Sequence, residues 1–215
     1  DGIAVIVNPA NEAVEDITPE QLADIYSGKI TNWSELGGED QDIFVVSREE
    51  SSGTRDAFEE LIGLEDAGGL SGNASVSEGN GPVQAAVAEN EYAIGYVSFS
   101  YVDDTVKPLT VGGVEATAEN ALNGTYPLSR PFLFCWFDEN VTEAGQAFLD
   151  FALTDEAQEF VVEHGGITVA EEEEAMAESE TAAEGDTEAA ETTEETTADS
   201  EAAETEAAES ETAAE

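Results

Sequence analysis

Hydrophobic positions recur along this chain with two periods, and their alternation sets the expected architecture. Residues 3–7, Ile-Ala-Val-Ile-Val, form a continuous apolar run of strand length, the pattern of a strand buried on both faces, and Asn8-Pro9 stops it. Thr18, Pro19 and Gln21 combine an N-cap, a proline in the first turn and a capping-box partner, predicting a helix to about Ser27 with Leu22, Ile25 and Tyr26 inward and Gly28 at its end. Residues 30–38 predict a short irregular helix with Trp33 in the core, and residues 43–46 a buried strand. Phe58, Leu61 and Ile62 fall at helical spacing, so a helix is expected over residues 55–62, followed by a flexible connection at Gly68-Gly69 and Gly72-Asn73. A helix from Pro82 to about Glu89, a strand over 93–97, a turn at Gly112-Gly113 and a helix over 117–122 come next. The pattern then predicts a long strand over 128–137, helices opened by Thr142 and Thr154, a closing Gly165-Gly166 and a last short strand over 167–169. Strands alternating with helices indicate an α/β fold.

The most informative stretch lies between the strand at 43–46 and the helix that follows: Ser47, Arg48, Glu49, Glu50, Ser51, Ser52, Gly53, Thr54, Arg55. The first N–H groups of a helix lack internal partners and sit at the positive end of its dipole, so such a turn can bind an oxyanion. Ser51, Ser52 and Thr54 offer hydroxyls, and Gly53 permits close backbone approach. The chain has only five Lys+Arg against 51 Asp+Glu, and Arg48 and Arg55 both flank this turn. Each residue also has a plainer use. Arg48 can pair with Glu49, Glu50 or Asp56, Arg55 can form a structural ion pair, and the hydroxyls can simply cap the helix.

The formal charge of −46 changes what partners are conceivable. Residues 171–215 hold 19 of the acidic residues and no basic one, leaving 32 acids against five cations in the body. Binding nucleic acid by neutralising phosphates needs clustered Lys and Arg and is excluded on this composition. Such acidity suits high-salt surroundings, where screening suppresses self-repulsion, and serves equally for solubility. Residues 170–215 are almost entirely Glu, Ala, Thr and Ser, with like charges at helical spacing and no apolar stripe, and are expected to be a disordered acidic tail. No apolar run is long enough for a transmembrane helix. The opening on Asp1-Gly2-Ile3, without a signal peptide or initiating Met, reads as a fragment or processed chain. Cys135, inside the aromatic run 132–137, is expected to be a buried structural thiol and the run itself core. His164 is the single histidine, and a helix-ending position explains it better than a hydrolase base. No Cys/His cluster, calcium loop or nucleotide-phosphate loop occurs, so no metal, cofactor or catalytic residue is expected.

Five pieces in order then resemble the phosphate-binding proteins of bacterial ABC-type phosphate importers. They are residues 1–8, the segment 18–33 with Tyr26-Ser27-Gly28-Lys29-Ile30 and Asn32-Trp33, Arg48 followed by Ser52-Gly53-Thr54, residues 93–97, and Tyr126-Pro127-Leu128-Ser129-Arg130-Pro131. The resemblance spans roughly residues 1–169. It implies a type II periplasmic-binding-protein-like fold: one complete lobe at about 9–127, and a hinge and partial second lobe from 1–8 and 128–169. It implies capture of inorganic phosphate and delivery to an ABC permease, outside the cytoplasm in the periplasm or at the cell surface, by a full-length protein that is lipid-anchored and monomeric. Carried over by position, Arg48 is the charged clamp, and Ser52, Gly53 and Thr54 donate hydroxyl and N–H bonds. Ser51, where the family more often has glycine, and Arg55 are further candidates. The family's first lobe begins before the crossing strand and supplies Ser/Thr donors and a carboxylate, so this chain is expected to hold one side of the site and to expose apolar edges. Two other readings stand beside this one: an acidic surface interaction domain on a degenerate binding fold, and a binding protein for sulfate, molybdate or tungstate.

Overall fold

The computed structural model describes residues 2–164 and 166–168. In chain order the strands and helices are β1 (Ile3–Val7), β2 (Asp16–Ile17), α1 (Pro19–Ser27), β3 (Phe44–Arg48), α2 (Gly53–Leu61), α3 (Leu64–Ala67), β4 (Ser75–Ser77), α4 (Asn80–Glu89), β5 (Ala93–Ser98), β6 (Lys107–Pro108), β7 (Thr110–Val111), α5 (Ala118–Leu122), α6 (Glu143–Ala152) and α7 (Asp155–Glu163). A single 3-10 turn, Trp33–Leu36, stands where the irregular helix was expected, and the Trp33 indole is buried with its Nε1 donating to the Tyr92 carbonyl at 2.9 Å.

The organising sheet has the order β4-β3-β5-β1-β6. β3 pairs parallel with both β4 and β5, whereas β1 pairs antiparallel with β5 and β6. β1 explains the unbroken apolar run: Ile3, Val5 and Val7 enter one core cluster with Tyr26, Phe58 and Tyr96, while Ala4 and Ile6 enter a second with Val83 and Val87 of α4. Both faces of the sheet are therefore covered, as a central strand of this composition requires. α1 starts on the expected capping box, in which Thr18 Oγ1 accepts from the Gln21 N–H and Gln21 Oε1 accepts from the Thr18 N–H.

The parallel trio of β3, β4 and β5 sends its carboxyl ends to one edge, with Arg48 level with Ser77. From that edge α2 packs into the first core cluster and α4 into the second, so the two helices leave for opposite faces of the sheet. Ligands of open α/β sheets characteristically bind in the crevice at such a divergence.

Some expectations fail for physical reasons. Residues 130–137 form no strand; among the described residues, the predicted strand 128–137 makes only an isolated bridge, between Gly2 and Ser129. A strand needs a partner for its backbone groups, and among the described residues none lies beside this segment. The aromatic run is consequently surface rather than core, with Phe132 75% and Trp136 52% exposed, and Cys135 is exposed rather than buried. Conversely α3 and β4 went unforeseen in the glycine-rich connection. β4 is three residues, Ser75, Val76 and Ser77, too short a pattern to signal a strand, whose strand character comes from pairing with β3. Phe44, expected inside, is largely exposed at the start of β3. Ile167 and Thr168 are not in a strand; Gly165, Val169 and the acidic tail lie outside the described residues. No helix among the described residues is long and apolar enough to cross a membrane.

The packing of α4 on β5 depends on Gly95. A Cβ there would lie 2.9 Å from both Val83 Cγ1 and Val87 Cγ2. Gly95→Ala is expected to destabilise the fold by about 1–3 kcal/mol through overpacking. Urea unfolding checks this, and an unchanged midpoint would contradict it.

Candidate functional site: an arginine-flanked helix start

β3 ends on Ser47 and Arg48, both buried, and the chain turns through Glu49–Ser51 into α2. Ser52 is the N-cap: its Oγ accepts from the Arg55 N–H at 3.2 Å, and only 4% of the residue is exposed. Gly53 and Ser51 are exposed and Thr54 half-buried, so the first turn of α2 is reachable from solvent. Beneath it lies an aromatic stack. Phe58 is parallel to Tyr96 at 3.9 Å between centroids, and Tyr26 meets Phe58 edge-on at 4.8 Å. The Tyr96 hydroxyl lies 3.0 Å from Ser47 Oγ and accepts from the Arg48 N–H at 3.3 Å, tying the end of β3 to β5. Burial raises the Tyr96 phenol above its ordinary value, so it stays a neutral hydrogen-bonding group.

Arg48 is 7% exposed and held on three sides. Its Nε and Nη2 donate to the two Glu49 carboxylate oxygens at 2.9 and 3.0 Å, and Nη1 donates to Asn80 Oδ1 at 2.7 Å. Glu49 Oε2 also accepts from the Gly79 N–H at 3.1 Å. The Arg48 hydrogen bond, then backbone N–H groups, hold the Glu49 carboxyl well down, from the usual 4.5 to about 2. The plainer reading of Arg48 as a salt-bridge partner is thus realised with Glu49, yet three bonds leave two of a guanidinium's five N–H donors for a ligand.

Arg55 turns back: Nε donates to Glu59 Oε1 at 2.6 Å and Nη1 to the Arg48 carbonyl at 3.1 Å, the geometry of a brace for the loop. A third arginine arrives from far along the chain. Arg130 Nη2 donates to the Gly53 carbonyl at 2.5 Å, and a Cβ on Gly53 would stand 3.4 Å from that nitrogen. All three arginines of the chain therefore bear on this loop, Arg130 through the Gly53 carbonyl, Arg55 through the Arg48 carbonyl, and Arg48 through Glu49 and the start of α4; the two lysines sit elsewhere, Lys29 on Asp24 and Lys107 on the Asn11 and Val14 carbonyls. Sequence reasoning named Arg48 and Arg55 but missed Arg130 and Asn80. The scarcity of cations was the available signal for Arg130; nothing local marked Asn80, whose role arises from tertiary contact. His164 caps the end of α7, with Nδ1 2.8 Å from the Phe160 carbonyl.

The arrangement offers helix-start N–H groups, a capping hydroxyl and guanidinium edges, all suited to an oxyanion. Residues 1–156 match the family described as a PBP superfamily domain. A solved phosphate ABC transporter substrate-binding protein from Clostridium perfringens, with bound phosphate, is 52% identical and superposes with a TM-score of 0.70, covering 79% of this chain and 69% of that one. This chain belongs to the phosphate-binding-protein family of that superfamily. A second family structure, an ABC-type phosphate transport receptor from Vibrio cholerae, is 40% identical with a TM-score of 0.73, covering 78% of this chain and 69% of the other. Phosphate-binding protein PstS of Bacillus subtilis is 38% identical over 168 residues, 77% of this chain and 54% of that protein. The chain thus spans about half the length of this curated family member.

Because the Glu49 carboxyl is depressed in the fold, its pairing stabilises the protein at and above the pH where an unpaired Glu titrates, and that contribution fades as pH falls toward 2. An NMR titration of the Glu49 carboxyl is expected to give a midpoint near 2. A midpoint in the ordinary range of about 4.3 would mean that the pair does not persist in solution.

Proposed function

We propose that this chain is the solute-binding component of an ABC-type importer, capturing inorganic phosphate outside the cytoplasm and delivering it to a membrane permease. The observation that carries this reading is that Arg48, Arg55 and Arg130, three of the five cations in the chain, all bear on the loop that opens α2, Arg48 from the end of β3, Arg55 from within the helix and Arg130 on the Gly53 carbonyl. The names of the relatives, and the phosphate bound in the Clostridium perfringens structure, support it. In this reading Arg48 is the charged clamp, and the Gly53 and Thr54 N–H groups, with the Ser52 and Thr54 hydroxyls, wrap the anion, while the Ser52 N–H holds the loop through the Glu49 carbonyl at 3.1 Å. Ser51 is a further donor at the rim. Arg55, occupied by Glu59 and the Arg48 carbonyl, braces the loop. The role is binding, not catalysis. Attachment to the cell surface through a lipid anchor, and a monomeric state, belong to the full-length protein in this reading.

The body divides, in this proposal, into a central lobe at about 9–127 and a partial second lobe from 1–8 and 128–169. The division is supported by the contrast between the sheet with its covered faces and the segment after Arg130. There a groove of about 710 Å³ runs between residues 131–134 and helices α6 and α7, lined by Phe132, Phe134, Phe148, Phe151 and Phe160. Those rings are exposed, as they would be if the rest of that lobe came from sequence beyond these residues. The chain then supplies one side of a two-sided cleft, and its own affinity for phosphate is modest. The same exposed rings favour a second reading, in which this face docks a protein partner; loss of binding in site variants separates the two.

Arg48→Ala and Ser52→Ala are each expected to weaken phosphate binding by about 1.5–3 kcal/mol, the worth of a hydrogen bond to a charged group. A phosphate titration followed by NMR measures this even at modest affinity, and competition with sulfate, molybdate and tungstate ranks the anions. Unchanged affinity in both variants would contradict the assignment.

A further inference from the structure

The shortest of the three bonds that fix the Arg48 guanidinium runs from Nη1 to Asn80 Oδ1, at 2.7 Å. Asn80 is the first residue of α4, a ten-residue helix whose N-cap, Gly79, has φ 94 and makes no side-chain cap. Its Oδ1 also lies 3.4 Å from the Ser98 N–H at the end of β5. The preceding N–H, from Gly79, goes to the Glu49 carboxylate. The start of α4 therefore grips both partners of the Arg48–Glu49 pair, with a backbone donor on the carboxylate and a side-chain acceptor on the guanidinium.

We propose that Asn80 is a positioning residue for oxyanion binding: its amide carbonyl locks the Arg48 guanidinium against the start of α4 while adding no negative charge beside the anion. This rests on reading the start of α2 as the anion site. The chemistry of the acceptor matters because Arg48 already faces one carboxylate. Arg48 and Glu49 together are neutral, so an incoming anion meets N–H donors and helix dipoles without a net repulsive charge from the pair. A carboxylate at position 80 would hold Arg48 equally well, by a charge-assisted bond, but would leave the cluster with net charge −1. An apolar side chain would keep the charge balance and lose the lock, freeing a long side chain whose remaining N–H groups must point at the ligand to be useful. An amide satisfies both requirements, orientation and neutrality.

The two requirements separate experimentally. Phosphate titrations followed by amide NMR would compare the unaltered chain with N80D, N80A and R48A at low and high ionic strength, with a melting curve for each. R48A reports on the site itself and is expected to lose roughly tenfold or more in affinity. N80D is expected to keep the melting temperature and the Arg48 contact yet lose roughly tenfold in affinity, with the loss shrinking in high salt as the added charge is screened. N80A is expected to lose affinity by a factor that salt does not change, and to broaden or shift the Arg48 Nε–H resonance. If R48A loses affinity while N80D and N80A bind like the unaltered chain, the inference about Asn80 is wrong and the site stands. If R48A itself binds normally, the reading of the site falls and this inference with it. N80D retains an acceptor for Nη1, so it remains informative should N80A fail to fold.

Discussion

The arrangement around the α2 start depends on one ion pair in an awkward position. Arg48 has lost nearly all contact with water, its side chain being 9% exposed against 26% for its partner Glu49. Desolvating a guanidinium costs more than one ordinary hydrogen bond returns, so the pair persists only because its remaining polar atoms are also satisfied. Asn80 and Gly79 do this from α4, and Tyr96 holds the Arg48 backbone from β5. The consequence is mechanical. The pair ties the loop that leads into α2 to the start of α4, and Arg55 braces the same loop from within α2. A frame of this kind holds the loop in one arrangement before a ligand arrives, which reduces the ordering cost of binding.

The same pair reconciles an anion site with an extremely acidic chain. Charges farther away than about 8 Å are largely screened at physiological ionic strength, so what an oxyanion meets is set locally. Near α2 the local balance is made by three arginines, two of them holding carboxylates at hydrogen-bond distance. Arginine suits this better than lysine, because one planar group can hold a carboxylate on one edge and still present N–H donors on another. The two lysines serve elsewhere, on Asp24 and on two loop carbonyls.

Much of this could be read from the residues alone where the information is local. Thr18 with Pro19 and Gln21, the apolar run at 3–7, and the serine-capped start after Arg48 each specify their element through neighbouring residues, and the structure has them where expected. β4 could not be read, since Ser75, Val76 and Ser77 become a strand only through β3. The aromatic run misled for the opposite reason. Phe132 to Phe137 has the composition of a core strand, but composition cannot say whether a neighbouring strand exists, and among the described residues none covers it. In the site, Arg48 and Ser52 were legible from a cap signal and scarce cations. Asn80 and Arg130 come from 32 and 77 positions away along the chain, and pairings at that distance leave no local trace.

The central claim is that the first turn of α2, framed by Arg48, is where this chain holds an oxyanion. Mapping amide NMR shifts during addition of inorganic phosphate tests it most directly. The account predicts that the largest saturable shifts fall on the Gly53 and Thr54 N–H groups and on the Arg48 side chain. Saturable shifts centred elsewhere, with those resonances unmoved, would contradict it.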